Sequence, residues 1–241
     1  MGRGLRWGMR ALRGVASGYG ADGGIRKAGA GLAAAASALW LSLAPAWAEP
    51  VVVAALGDSL TQGYGLPQQD GFVPQLQAWL EAQGEEVTLI NAGVSGDTTA
   101  GGLSRVDWTL TPEVDALIVA LGGNDLLRGI DPAVSRANLD GILSRAAARG
   151  LPVLLVGLEA PGNYGPDYKA AFDAMYPELA AQYGALHEES FLAALTAEDD
   201  QATALRNYMQ SDGIHPNAAG VAKIVAALGP SVQALIARAA P

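Results

Sequence analysis

From Pro50 to the C-terminus, short valine- and alanine-rich runs alternate with longer amphipathic stretches, and this rhythm restricts the possible folds more than any other feature of the chain. Residues 51–56 form an uninterrupted apolar run, as expected of a strand covered on both faces. Residues 72–83 then bring Phe72, Leu76, Trp79 and Leu80 onto one helical face, with Gly84 as a stop. The cycle continues with a strand over 87–90, a helix near 100–108, a strand over 116–121 and a helix over 132–149 closed by Gly150. A strand over 153–158, a helix near 168–183, a weak strand over 185–188 and a terminal helix from about 217 to 238 complete it. Strands alternating with helices imply right-handed crossovers, and hence an α/β fold of three layers, α/β/α, around a parallel sheet of five strands. Ligands of such sheets bind beyond the carboxyl ends of the strands, so the informative residues are those just after each apolar run.

Residues 1–48 do not share the rhythm. A basic stretch is followed by an apolar run over 28–44, then Pro45 and the small-residue pattern Ala46-Trp47-Ala48, which reads as a secretory signal peptide cleaved after Ala48. The competing reading is a membrane anchor, but the run is short of the roughly 20 residues of a typical span and ends at a cleavage pattern. Met9 is a second candidate start. The expected organisation is a signal peptide over 1–48 and a single domain over 49–241, periplasmic or secreted, monomeric, with no stable membrane anchor after cleavage.

Charge and composition remove several function classes. The chain carries a formal net charge of -9, and the leader is basic, so the acidity is concentrated beyond residue 48. Such a surface repels phosphate backbones, which argues against nucleic acid as a partner. The absence of cysteine removes disulfides, thiolate zinc sites and a cysteine nucleophile, and with His187 and His215 alone a polyhistidine metal site is also removed. No metal and no cofactor are expected.

The chemistry-bearing residues follow the strands. After the first comes Gly57-Asp58-Ser59-Leu60-Thr61, which presents a serine at the carboxyl edge, where a helix N-terminus favours developing negative charge. Serine is also a preferred helix cap, and Thr61 stands where the Gly-x-Ser-x-Gly elbow has its second glycine. After the second strand comes the polar, glycine-rich segment from Asn91 to Thr99, and after the third Gly122-Gly123-Asn124-Asp125, whose Asn124 can offer an amide N–H₂ to the same edge. Near the end stands Asp212-Gly213-Ile214-His215-Pro216, a spacing that allows Asp212 to orient one imidazole nitrogen while the other faces outward. His187, flanked by Leu186 and two glutamates, reads as structural or surface. Together these supply a nucleophile, a base with its orienter and candidate oxyanion donors.

These four blocks resemble those of the SGNH, or GDSL, hydrolases. The strings over 91–99, 121–129, 163–165 and 212–217 further resemble the branch of periplasmic acyl-CoA thioesterases, lysophospholipases and arylesterases, over nearly all of residues 50–230. The resemblance implies a flavodoxin-like five-stranded sheet, a Ser59–Asp212–His215 triad, and an oxyanion hole made of the Ser59 and Gly93 N–H groups and the Asn124 side chain. It implies a serine hydrolase that cleaves carboxylic esters or thioesters through an acyl-enzyme on Ser59. Leu126, Leu127 and Ile130, on a loop after Asn124, are the expected lining of the acyl pocket, with Asn163 and Tyr164 forming its opposite wall. Two rivals remain at this stage: a carbohydrate O-acetylesterase of the same superfamily, and a flavin- or phosphate-binding module of flavodoxin type, which leaves the Asp212–His215 spacing without a role.

Overall fold

The computed structural model of the protein describes residues 49–197 and 200–240. The signal-peptide reading falls on residues 1–48 and lies outside them. Five strands, β1 (Val51–Gly57), β2 (Val87–Gly93), β3 (Ala116–Ala120), β4 (Val153–Val156) and β5 (Leu186–Glu188), form one sheet in the order β2-β1-β3-β4-β5. Every pairing is parallel. Since β1 lies between β2 and β3, the crossovers run to opposite sides of it, and the switch point opens a crevice at its carboxyl end.

The two-residue period of β1 divides the core. Val53 and Ala55 face one layer, with Phe72, Leu76 and Leu80 of α2 (Phe72–Ala82) and Ile224, Leu228 and Leu235 of α9 (Ala218–Ala239). Ala54 and Leu56 face the other, with Val106 of α3 (Thr99–Thr109), Leu139 and Ile142 of α5 (Pro132–Ala148), and Phe172 and Tyr176 of α6 (Pro166–Tyr183). Full burial of each Leu, Ile or Phe in these layers contributes about 1.5–3 kcal/mol relative to exposure. Helix α9 is long and apolar enough to cross a membrane, but it spends that apolar surface on the first core layer.

The structure departs from the sequence reading at turns. β2 continues through Asn91, Ala92 and Gly93, whose backbones pair with Ala55, Leu56 and Gly57 although their side chains are not strand-like. Five short elements were not expected: α1 (Ser59–Gln62), a 3₁₀ turn over Gln68–Asp70, α4 (Gly123–Leu127), α7 (Ala193–Thr196) and α8 (Gln201–Tyr208). The segment beginning at Leu126, read as a loop, is therefore helical in its first two residues.

Candidate active site

β1 ends at Gly57, where a side chain would collide with Thr61, so the chain can turn at once into α1. Asp58 caps that turn by accepting the Leu60 N–H at 3.0 Å, and Ser59 is its first residue. The Ser59 N–H is thus among the first-turn donors that have no intrahelical acceptor. His215 is delivered from the far end of the chain by a tight loop, in which Met209 and Pro216 form an antiparallel bridge and the Gln210 N–H donates to the His215 carbonyl at 2.8 Å. Gly213 turns this loop with φ at 66°.

The Ser59 hydroxyl donates to His215 Nε2 at 2.9 Å, and His215 Nδ1–H donates to Asp212 Oδ2 at 2.7 Å. Asp212 Oδ1 also accepts the backbone N–H groups of His215 and Ile214, at 3.0 and 2.9 Å. These bonds, first that from the His215 backbone, then that from its ring and then that from Ile214, hold the Asp212 pKa down at about 2. The carboxylate therefore stays ionised, fixing the tautomer that leaves the Nε2 lone pair facing Ser59. His187 lies on β5 against a separate cleft with Lys169, Asp173 and Glu189, and burial lowers its pKa.

Of the expected oxyanion donors, Asn124 is brought to Ser59 and Gly93 is not. Asn124 Nδ2 donates to the Asp97 carbonyl at 2.9 Å and more weakly to Asp58 Oδ2 at 3.4 Å. Gly93 closes β2, its N–H donates to Asn91 Oδ1 at 3.0 Å, and it lacks a side chain because the backbone of Gln62 occupies that space. Gly96, three residues further on, lines the same cavity as Ser59 and Asn124, with φ at 84°.

A single guanidinium ties these pieces together. Arg105, on α3, donates through Nη2 to the Gly57 carbonyl at 2.9 Å, through Nη1 to the Ala92 carbonyl at 2.7 Å, and through Nε to Asp97 Oδ2 at 2.6 Å. It thereby joins the ends of β1 and β2 to the residue whose carbonyl holds Asn124. Asp125 anchors the same loop from below: only 1% exposed, it accepts from the Thr99 N–H at 2.8 Å, the Thr99 hydroxyl at 2.6 Å and the Ser135 hydroxyl at 2.9 Å. Arg105 was not singled out in the sequence, and Asp125 only as the last residue of the Gly122-Gly123-Asn124-Asp125 block.

The site opens into a cavity of about 650 Å³. Leu126 and Leu127 line it as expected, but Ile130, Asn163 and Tyr164 do not. The chain turns away after α4, the Ile130 carbonyl is taken by the Tyr168 hydroxyl at 2.9 Å, and Tyr164 packs behind the turn against Tyr168 and Gly129. The opposite wall comes from Leu158, Pro161, Leu192 and Met209. Tyr64 covers the imidazole edge, its ring centroid 4.7 Å from that of His215.

A family model described as GDSL-like Lipase/Acylhydrolase matches residues 55–223. The chain belongs to this GDSL-like family. It is accordingly an ester-cleaving serine hydrolase. This GDSL-like hydrolase is 38% identical over 182 residues to a protein named esterase TesA from Pseudomonas aeruginosa, covering 75% of this chain and 87% of that one. It is 34% identical over 163 residues to thioesterase 1/protease 1/lysophospholipase L1 of Escherichia coli strain K12, covering 67% of this chain and 74% of that one. The crystal structure of AlinE4, an SGNH-hydrolase family esterase, matches with 43% identity and a TM-score of 0.63 over 77% of this chain and 96% of that one.

Proposed function

We propose that Ser59 is the nucleophile of this hydrolase, His215 its general base and acid, and Asp212 the group that orients the base. The observation that carries this reading is the unbroken relay from Ser59 Oγ through both ring nitrogens of His215 to a carboxylate held ionised. As Ser59 Oγ bonds to the acyl carbon, its proton passes to His215 Nε2 and the carbonyl π pair moves onto oxygen. That oxyanion is met by the N–H groups of Ser59 and Gly96 and by Asn124 Nδ2. Collapse expels the leaving oxygen or sulfur, which takes the proton from Nε2, and water repeats the sequence on the acyl-enzyme to restore Ser59. No cofactor takes part.

The proposed substrates are esters and thioesters with an acyl chain seated between Leu126–Leu127 and the wall of Leu158, Leu192 and Met209. The apolar character of that lining favours this reading over a carbohydrate O-acetylesterase. The proposal extends to the leader: residues 1–48 direct export, and the mature enzyme begins at Glu49 in the periplasm. Intact-mass measurement of periplasmic material tests the export reading, which a product retaining residues 28–44 would overturn. Ser59→Ala should abolish hydrolysis without altering the circular dichroism spectrum, and an organophosphonate should add mass at Ser59. Labelling at Ser95 or Ser211 instead would refute the assignment.

A further inference from the structure

Tyr64 is built into the site more firmly than a surface aromatic requires. Its N–H donates to the Ser59 carbonyl at 3.1 Å, which fixes it to the nucleophile's own turn. Its carbonyl accepts from Gln210 Nε2 at 2.8 Å, and the same Nε2 donates to the Pro216 carbonyl at 3.0 Å, so Gln210 clips Tyr64 to the loop that carries His215. Gly65 follows with φ at 76°, in a place where a side chain would strike the Gln210 amide. The result is an aromatic ring on the cavity wall, packed against the His215 imidazole yet 49% exposed. One part of the ring packs against His215, and the rest lines the cavity.

The reaction geometry says what belongs there. The proton that His215 Nε2 takes from Ser59 must be delivered to the leaving atom, so the leaving group stands beside the imidazole, while the carbonyl oxygen points towards Asn124 and Gly96. The acyl chain takes the remaining direction, towards Leu126 and Leu158. The ring beside His215 therefore borders the leaving group and not the acyl chain.

We propose that Tyr64 is the leaving-group platform of this enzyme and selects esters of planar aromatic alcohols by stacking against them. This rests on the serine-hydrolase reading of the same site. An offset or edge-to-face aromatic contact contributes beyond simple area burial, and here it forms as the leaving group settles against His215, so it acts on acylation.

The test compares two esters with one acyl group, phenyl butyrate and hexafluoroisopropyl butyrate, whose leaving alcohols are of similar acidity. Both give the same butyryl-enzyme, so deacylation cancels and the ratio of their kcat/KM values reports the leaving-group subsite. Tyr64→Leu should lower the phenyl-to-fluoroalkyl ratio by about two- to tenfold, whereas Tyr64→Phe and Tyr64→Trp should hold or raise it. If Tyr64 only supports the imidazole, both esters slow together and the ratio stays fixed in all three variants, which overturns the proposal. A ratio that falls as far in Tyr64→Phe as in Tyr64→Leu also overturns it, since the phenol hydroxyl and not the ring face would then be responsible. Ser59→Ala is run alongside: turnover of either ester by that variant means the serine reading has failed, whereas an unmoved ratio with Ser59-dependent turnover means the platform alone has failed.

Discussion

Replacing Asp58 with asparagine isolates the cost of a charge held inside the protein next to Ser59. Asp58 is 2% exposed, and its surroundings are one N–H from Leu60, the Asn124 amide at 3.4 Å, the His215 ring and a second carboxylate, Asp125. Burial is the largest effect and pushes its pKa from 3.8 up to about 6, against the smaller lowering by Leu60, His215 and Asn124. The folded state therefore binds this proton more readily than the unfolded chain, and the stability tied to it is present below pH 3.8 and lost as pH rises through about 6. The difference between those two pKa values corresponds to about 3 kcal/mol, withdrawn from the native state by the time Asp58 is fully ionised. Asparagine keeps the acceptor for Leu60 but cannot ionise. Its own N–H₂ would face that of Asn124, a cost independent of pH, so the measured quantity is the change in stability between pH 4 and pH 7 and not the stability itself. Urea unfolding of both proteins at the two pH values gives that quantity. The wild type should lose about 2 kcal/mol more than Asp58→Asn on going from pH 4 to pH 7, since part of the titration of the unfolded chain lies below pH 4. Asp212 does not confuse the result, because its pKa is depressed to about 2 and its contribution is lost only as pH falls from 3.8 through that value. Equal pH dependence in the two proteins would refute the claim that Asp58 is held as a desolvated acid.

Two further outcomes are expected. Asn124→Ala should lower kcat by about 10²–10³ with little change in KM, because charge on the substrate oxygen appears only in the transition state; a variant that melts lower yet keeps wild-type kcat per folded molecule would make Asn124 a turn residue. Arg105→Met leaves the carbonyls of Gly57 and Ala92 and the Asp97 carboxylate without their donor, at about 1–3 kcal/mol for each group that stays buried, so its melting temperature should fall and its kcat should drop more than its KM rises. Arg105→Lys should recover part of the melting temperature, and a variant as stable and as active as wild type would show that the clamp is dispensable.

The long elements were legible because burial on both faces requires continuous apolar runs such as Val51–Gly57, and half-buried helices require the spacing seen over Phe72–Ala82. The reading lost resolution wherever backbone rather than side chain decides. Strand β2 runs on through Asn91 because its neighbours hydrogen-bond regardless of polarity, so Gly93, named only through the family resemblance, falls inside the strand. The turns α1 and α4 are too short to show a period. Leu192 and Met209 were missed as cavity wall because each lies beside a short helix, where no strand end marks a site. The Ser59, Asp212 and His215 cluster was foreseen from local spacing and from where the strands end, both of which survive without knowledge of the turns.

The loop that carries His215 meets Ser59 across 156 residues of sequence, and Gln210 reaches Tyr64 across 146. Strands β2 to β5 lie between them in sequence, and α9, directly after that loop, packs with α2 in one core layer. A chain that ends before residue 209 would carry Ser59 without the His215 imidazole and without the Gln210 clip on Tyr64.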